Sequence, residues 1–284
     1  MQQTTDQKRF MELENQRLQR LQKAREKYVI TDKYLQILRQ CEGKYEVMFI
    51  IDNSESMNQL ADDVENLMDV VKTKWFDLQT NLATAIVDVA GIIDRNGIEV
   101  CFLNPVHPDL VDTETGGTTV KNIVCAQQLD PYFQSTPHAS TPLEHVFKKA
   151  VERKLKTMDA STNLVVIIAT DGEPTKIDSN GVAVEDVKGF KNMLKNRPYK
   201  NRVFVSFVAC TNDQKQIGYL KKLDSEIDGV DSNDKYLTEL EDIKRHKGKN
   251  FDFGYGSYIV KVLCGSFVKE LDLLDKKNWS LFGK

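Results

Sequence analysis

Hydrophobic residues along the chain form two kinds of run that alternate with each other. Short continuous apolar runs rich in Val, Ile and Phe are typical of strands buried on both faces, and they span 47–51, 97–104, 163–170 and 202–210. Elsewhere apolar residues recur every three or four positions, which predicts helices over 60–73, 78–94, 143–155, 184–196, 215–223 and 257–274. The alternation predicts an α/β fold with a doubly wound, mostly parallel sheet and helices on both faces.

The N-terminal part of the chain has a different character. Residues 5–40 are highly charged and contain no Gly or Pro, so they predict a long helix with a thin apolar stripe. The stripe consists of Phe10, Leu13, Arg17, Leu21, Ala24 and Tyr28. We interpret this helix as a surface element packed against the domain, and a helix offered to a partner is the alternative. The predicted organisation is an N-terminal helical extension, 1–43, and one domain, 44–284, that includes the C-terminal helix.

Oxygen-bearing side chains follow two of the predicted strands, and another lies in a turn. Asp52, Ser54 and Ser56 come directly after the first strand, and Asp171 follows the strand that ends at residue 170. Thr141 lies in a polar turn that opens a helix. Ligands collect at the carboxyl ends of the strands in open α/β sheets, so these five side chains form a candidate metal site. An all-oxygen set suits Mg²⁺, Mn²⁺ or Ca²⁺ and offers no soft ligand to zinc.

These motifs resemble the metal-ion-dependent adhesion site of the von Willebrand factor A (VWA) family. In that family two serines and a threonine coordinate the cation directly, which would correspond to Ser54, Ser56 and Thr141. The two aspartates often act through water, which would correspond to Asp52 and Asp171. The resemblance implies a Mg²⁺-dependent protein-binding module that captures an Asp or Glu of a partner protein, with Mn²⁺ or Ca²⁺ as other ions that could serve.

The resemblance covers about residues 44–267 and has two departures. The segments GIEVCFLN, IIATDGEP and FVACTNDQ look like those of stand-alone intracellular and copine-like members. Glu55 stands where Gly is frequent, and Ala139-Ser140 replaces the usual Gly-Gly before the threonine. Neither change removes a ligand, but both are expected to alter loop geometry and the charge beside the metal.

A metal-dependent hydrolase, either a phosphatase or a nuclease, is the alternative function. Haloacid dehalogenase-like phosphatases also place an Asp after the first strand, but they need a second acid two residues on, where this chain has Ser54. They also need a lysine near the metal-bound phosphate, and Lys176 is more simply interpreted as a surface residue. The binding module is therefore the predicted function, and the chain is predicted not to be an enzyme.

Several other function classes lack their motifs. No Gly-x-Gly-x-x-Gly follows the first strand and no Gly-Lys-Ser/Thr is present, so dinucleotide and P-loop sites are not expected. The four histidines form no metal-binding pair, and His138 is interpreted as an ordinary loop residue. The acidic run 224–234 lacks the order of a calcium loop and is interpreted as a solvated loop at the same sheet edge as the metal.

Composition bears on compartment and partners. A net charge of -3 gives no reason to expect nucleic acid as a partner. The five cysteines are an odd number and are widely spread, as expected of reduced thiols. A polar N-terminus and apolar runs of only about six residues predict neither a secretory signal nor a transmembrane segment. The predicted location is the cytoplasm, and a secreted effector acting inside a host cell is the alternative.

Overall fold

The computed structural model describes residues 5–62 and 72–276 of the chain. Its strands are β1 Tyr45–Ile51, β2 Ile98–Phe102, β3 Thr118–Ile123, β4 Asn163–Thr170, β5 Thr175–Ile177, β6 Ala183–Glu185, β7 Val203–Ala209 and β8 Val230–Asn233. Its α-helices are α1 Thr5–Tyr28, α2 Asp32–Cys41, α3 Lys74–Asp77, α4 Thr84–Ile93, α5 Leu143–Thr157, α6 Val187–Lys195, α7 Gln214–Glu226, α8 Tyr236–Lys247, α9 Tyr255–Cys264 and α10 Lys269–Asp272. A π-helical segment, Leu78–Ala83, joins α3 to α4.

Six strands form one sheet in the order β3-β2-β1-β4-β7-β8. Only β3 is antiparallel to its neighbour, and the other pairs are parallel. Successive side chains of β1 point to opposite faces, as the pleat requires. Val47, Phe49 and Ile51 pack in a core with residues of α1, α2, α4 and α9, whereas Met48 and Ile50 pack in a second core with residues of α5, α6 and α7. The predicted fold class, a doubly wound and mostly parallel sheet with helices on both faces, is confirmed.

Four strands, β3, β5, β6 and β8, lie where the sequence did not indicate them. The predicted irregular segment after residue 224 contains β8, whose residues Val-Asp-Ser-Asn are buried although they form no apolar run. β3 has the sequence Thr-Thr-Val-Lys-Asn-Ile, which contains no continuous apolar run. β5 follows β4 in a stretch without an apolar run, and it pairs with β6 in a separate hairpin. The helix predicted over 184–196 therefore begins later, at Val187.

Two predicted helices are interrupted. The helix predicted over residues 5–40 breaks after Tyr28, where Val29 has a φ of 54° and lies in the left-handed region. The break turns the chain so that Ile30 and the apolar face of α2 reach the core. The last helix, predicted over 257–274, ends at Cys264 and resumes as the short α10.

The helix predicted over 60–73 is wrong at its ends. Leu60 and Thr73 pair as an antiparallel bridge, which a helix cannot provide. Residues 63–71 of the predicted helix lie outside the described residues. The helical stretch Lys74–Ile93 follows, and by length and composition alone it could cross a membrane. Most residues of α4, its second half, are buried in the protein core, as in the core helix of a folded domain.

The two N-terminal helices share a core with the sheet. Leu35 and Leu38 of α2 are buried in the same cluster as the α4 and α9 side chains. The Tyr28 hydroxyl at the end of α1 donates a hydrogen bond of 2.7 Å to Asp88 Oδ2 on α4. The domain boundary at residue 43 stays a prediction, but α2 contributes to packing on that face.

We predict that Leu38→Ala destabilises the whole domain by about 2–5 kcal/mol, because it leaves a cavity in a fully buried site. Leu18→Ala is the matched control, since Leu18 on α1 is 49% exposed and should cost little. Urea denaturation followed by circular dichroism measures both values. Similar midpoints for Leu38→Ala and wild type would show that α2 does not stabilise the domain.

Candidate metal centre

The loops after β1 and β4 meet at the carboxyl edge of the sheet. β1 and β4 are neighbours in register, with Ile51 opposite Ala169. The backbone N–H of Asp52 donates to the Ala169 carbonyl oxygen at 3.0 Å, which carries the pairing one residue past the end of β1. Asp52 and Asp171 therefore emerge side by side, as the parallel order of the strands requires.

The Asp52 carboxylate is fully buried and held at both oxygens. Oδ1 accepts a hydrogen bond of 2.9 Å from the Ser54 backbone N–H, and Oδ2 accepts one of 2.6 Å from the Thr170 hydroxyl. Burial raises the pKa of Asp52 to about 6, and the negative charge of Asp171 adds to the rise. The two hydrogen bonds oppose that rise because they favour the ionised form.

Three of the other predicted ligands form a continuous chain of contacts. The Ser54 and Ser56 hydroxyl oxygens are 3.1 Å apart, and the Ser56 hydroxyl donates to Asp171 Oδ1 at 2.7 Å. The Tyr219 hydroxyl donates to the Gly172 carbonyl oxygen at 3.0 Å and so anchors the loop that carries Asp171. Residues 115 positions apart in the chain are thus joined by one direct hydrogen bond.

Thr141 reaches the same edge through its backbone. It is buried, and its N–H and carbonyl oxygen bond to the side chain and backbone of Thr175 at 3.0 and 2.8 Å. The Glu55 N–H donates to the Ala139 carbonyl oxygen at 3.1 Å, which ties the Thr141 loop to the Ser54–Ser56 turn. Within residues 5–62 and 72–276, no hydrogen bond links the Thr141 hydroxyl to the other four predicted ligands.

Two asparagines that sequence reasoning missed clamp these loops together. Asn53 Nδ2 donates to the Asn104 carbonyl oxygen at 3.0 Å, and the Asn104 N–H donates to Asn53 Oδ1 at 2.8 Å. The Asn104 side chain also donates to the carbonyl oxygens of His138 and Ser140, at 3.0 and 2.9 Å. The ends of β1 and β2 and the Thr141 loop therefore form one rigid unit. The polar residue Asn104 at the end of the apolar run 97–104 was the available signal.

Lys74 is the other residue that the sequence did not reveal. Its Nζ lies 2.8 Å from Asp171 Oδ2, and the two side chains are 3% and 0% exposed. Nζ also donates to the Gln59 side-chain oxygen at 3.0 Å. Lys74 is the first residue of α3, where the helix dipole disfavours a positive charge. The sequence placed Lys74 between the helices predicted over 60–73 and 78–94, so its position at a helix start was not visible there.

Three nearby residues prove to be ordinary surface groups. Glu55 is exposed on the turn after Ser54, so its charge faces solvent beside the site. The His138 ring is exposed and bonds to the Thr136 carbonyl oxygen at 3.2 Å. Lys176 is exposed and pairs with Asp186 at 2.7 Å. The surface interpretations of His138 and Lys176 are confirmed.

The interpretation of the acidic run 224–234 as a solvated loop is wrong. Asp231 is fully buried in β8, where Lys261 Nζ lies 3.7 Å from its carboxylate. Asp224 ends up near Asp231 and Asp272, and Lys276 pairs with Asp224 at 2.8 Å. The helix α7 runs back from the carboxyl edge before β8 begins, so Asp224 lies toward the opposite edge from Asp52.

The donor set fits a small, hard divalent cation. The buried Asp171 carboxylate and the Ser54 and Ser56 hydroxyls lie in hydrogen-bond contact, and the buried Asp52 carboxylate accepts from the Ser54 backbone N–H. Thr141 is held in the adjoining loop. All the donor atoms are oxygen, the ligand type that Mg²⁺ and Ca²⁺ prefer. Lys74 supplies only one positive charge to the two carboxylates, so the site keeps a negative charge that a cation would balance.

Comparisons with known proteins give the following result. No family model and no curated protein sequence matches the chain. Among solved structures, it is similar to the pilus adhesin SpaC from Lactobacillus rhamnosus GG in its open conformation, with a TM-score of 0.43 and 12% identity over 78% of this chain and 30% of that one. It is similar to manganese-loaded TRAP protein of Plasmodium vivax, with a TM-score of 0.38 and 12% identity over 69% and 71% of the two chains.

A third similar structure is proximal thread matrix protein 1 from the mussel byssus, with a TM-score of 0.35 and 14% identity over 72% and 45% of the two chains. The chain spans less than a third of the SpaC chain and less than half of the byssus protein. Similarity at this level transfers no function to this chain.

We predict that Ala139→Gly stabilises the domain by about 1 kcal/mol, because Ala139 has a φ of 60°, in a region that costs a residue with a Cβ. Thermal denaturation of the metal-free protein measures the change. Ala126→Gly, at the start of a short 3₁₀ turn, is the control for the added chain flexibility and should destabilise. A lower midpoint for Ala139→Gly would show that the loop is not strained.

Proposed function

We propose that the chain is a VWA-type binding module that holds Mg²⁺ at this edge and captures an Asp or Glu of a partner protein. The observation that carries the proposal is the contact between two loops that joins the Ser54 and Ser56 hydroxyls to the Asp171 carboxylate, with the backbone of the Thr141 loop hydrogen-bonded to the first of them. Mn²⁺ or Ca²⁺ would suit the same oxygens. When bound, the ion would supply a Lewis-acidic position open to an incoming carboxylate.

Each residue has a defined part in this function. Ser54, Ser56 and Thr141 would hold the ion through neutral hydroxyls, and Asp52 and Asp171 would supply the negative charge. The Ser54 N–H and the Thr170 hydroxyl orient Asp52. Because neutral hydroxyls make up most of the set, the ion would keep positive charge for an acidic ligand.

The chain's own residues favour binding over hydrolysis. A phosphatase of the haloacid dehalogenase type would need a carboxylate where Ser54 stands. It would also need a lysine at the reacting phosphate, and Lys176 is instead paired with Asp186 on the surface. We therefore propose a non-enzymatic role.

We also propose that the protein works in a reducing compartment, in the cytoplasm or as an effector inside a host cell. All five cysteines lie in the described part of the chain, and none of them forms a disulfide. Four are buried, so they behave as small core side chains.

Divalent metal should stabilise the wild-type protein by mass action, by about 2.7 kcal/mol when the free ion is a hundredfold above its dissociation constant. Ser54→Ala should lose most of that gain, since it removes one ligand and leaves the backbone bond to Asp52 in place. Ser140→Ala is the matched control in the adjoining loop. Midpoints of thermal denaturation in MgCl₂, in MnCl₂ and in EDTA measure the effect. An equal rise of the midpoint with metal in Ser54→Ala and in wild type would contradict the proposed site.

Selection of random 12-residue peptides on the immobilised protein tests the acidic ligand. Peptides bound in MnCl₂ and released by EDTA should contain an Asp or Glu, and replacing that residue by Asn or Gln should abolish binding. The same peptides should not bind Ser54→Ala. Peptides that lack an acid, or that stay bound in EDTA, would place recognition elsewhere on the surface.

A further inference from the structure

The ammonium group of Lys74 already places a positive charge on the candidate metal centre. It lies 2.8 Å from Asp171 Oδ2, and the other oxygen of that carboxylate accepts from Ser56. Both partners of this ion pair are almost fully buried, so solvent screens it little. A divalent ion that binds near Asp171 must therefore share its carboxylate with the Lys74 ammonium.

Backbone pairing determines where Lys74 stands. Leu60 and Thr73 form an antiparallel bridge, and the Lys74 N–H donates to the Gln59 carbonyl oxygen at 2.8 Å. The Gln59 side chain binds the Lys74 ammonium from the same position, at 3.0 Å. The fold therefore holds the Lys74 ammonium at Asp171, whereas the ammonium of an exposed lysine is free to move.

A cavity next to the site offers the ammonium a second position. The cavity has a volume of about 360 Å³ and is lined by Lys74 itself, by Asp77 and by Tyr255 among others. Asp77 lies three residues after Lys74 on the same helix, a spacing at which opposite charges pair. The Asp77 carboxylate also has Lys235 Nζ at 3.4 Å and accepts a hydrogen bond of 2.7 Å from the Asn81 side chain. A change of side-chain rotamer would therefore carry the Lys74 ammonium from Asp171 toward Asp77, where it would share that carboxylate with Lys235.

We propose that Lys74 is a tethered counter-cation that competes with the divalent ion for Asp171 and so sets the affinity of the site. The inference rests on the proposed function, since it concerns the same ion. Without metal, Lys74 neutralises a buried carboxylate that would otherwise be costly. With metal, the two cations repel each other, and the lysine side chain turns toward the neighbouring cavity.

Manganese binding by Lys74→Met tests the proposal, with free Mn²⁺ measured by electron paramagnetic resonance. Removing the competing charge should lower the dissociation constant by about tenfold or more, equivalent to about 1.4 kcal/mol. Lys74→Arg keeps the charge and should bind Mn²⁺ as weakly as wild type. Lys154→Met is the matched control, because Lys154 pairs with Glu46 at 2.7 Å at the opposite end of β1.

Thermal denaturation gives a second readout. Lys74→Met should be less stable than wild type in EDTA and should recover more stability than wild type on addition of MnCl₂. If it does not fold in EDTA, folding on addition of MnCl₂ supports the proposal; if it folds in neither condition, Lys74→Gln carries the same test.

The outcomes separate this inference from the proposed function. A folded Lys74→Met that binds Mn²⁺ no more tightly than wild type overturns the inference and leaves the metal site intact. Failure of wild type and of Lys74→Met to bind Mn²⁺ overturns both proposals. Tighter binding by Lys154→Met as well as Lys74→Met would show a general effect of net charge, and would also overturn the inference.

Discussion

Two carboxylates are buried side by side at the carboxyl edge of the sheet, and the structure of that edge depends on how their negative charge is stabilised. Asp52 and Asp171 leave neighbouring parallel strands at the same level, and neither is exposed. Burying one ionised carboxylate is costly, and a second nearby raises the cost. The surrounding residues reduce that cost by donating to all four carboxylate oxygens, through a backbone N–H, two hydroxyls and an ammonium.

The loops around the carboxylates are arranged to keep those donors in place. Asn53 and Asn104 bind each other's backbone, and Asn104 also holds the Thr141 loop. Ala139 accepts a left-handed conformation so that its carbonyl oxygen can meet the Glu55 N–H. Local strain of this kind persists where several surrounding contacts determine the conformation, and it is frequent at ligand sites.

The sequence predicted those parts of the structure that depend on local pattern. Strands such as β1 and β4 carry continuous apolar runs because helices cover both faces of the sheet, so their ends, and with them Asp52 and Asp171, could be placed in advance. The polar strand β8 could not be predicted from the sequence, because its burial depends on a helix that packs against it. Lys261 of α9 supplies a buried positive charge to Asp231 of β8. The turn at Val29 was equally hidden, since only tertiary packing favours breaking a charged helix there.

Lys74 was the least accessible to sequence reasoning, and it explains most about the site. Its role depends on Gln59 and the adjacent bridge at Leu60 and on Asp171, which lie more than ten and almost a hundred residues away from it in the chain.

The position of Lys74 beside Asp171 also affects how the metal ion and the partner carboxylate would bind together. The Lys74 ammonium and a bound divalent ion would both present positive charge to Asp171, which compensates only part of it. A carboxylate from a partner would reduce that excess, so the ion and the partner should each bind more tightly in the presence of the other, by the same factor. On this view the lysine makes the metal site weak alone and strong with its ligand.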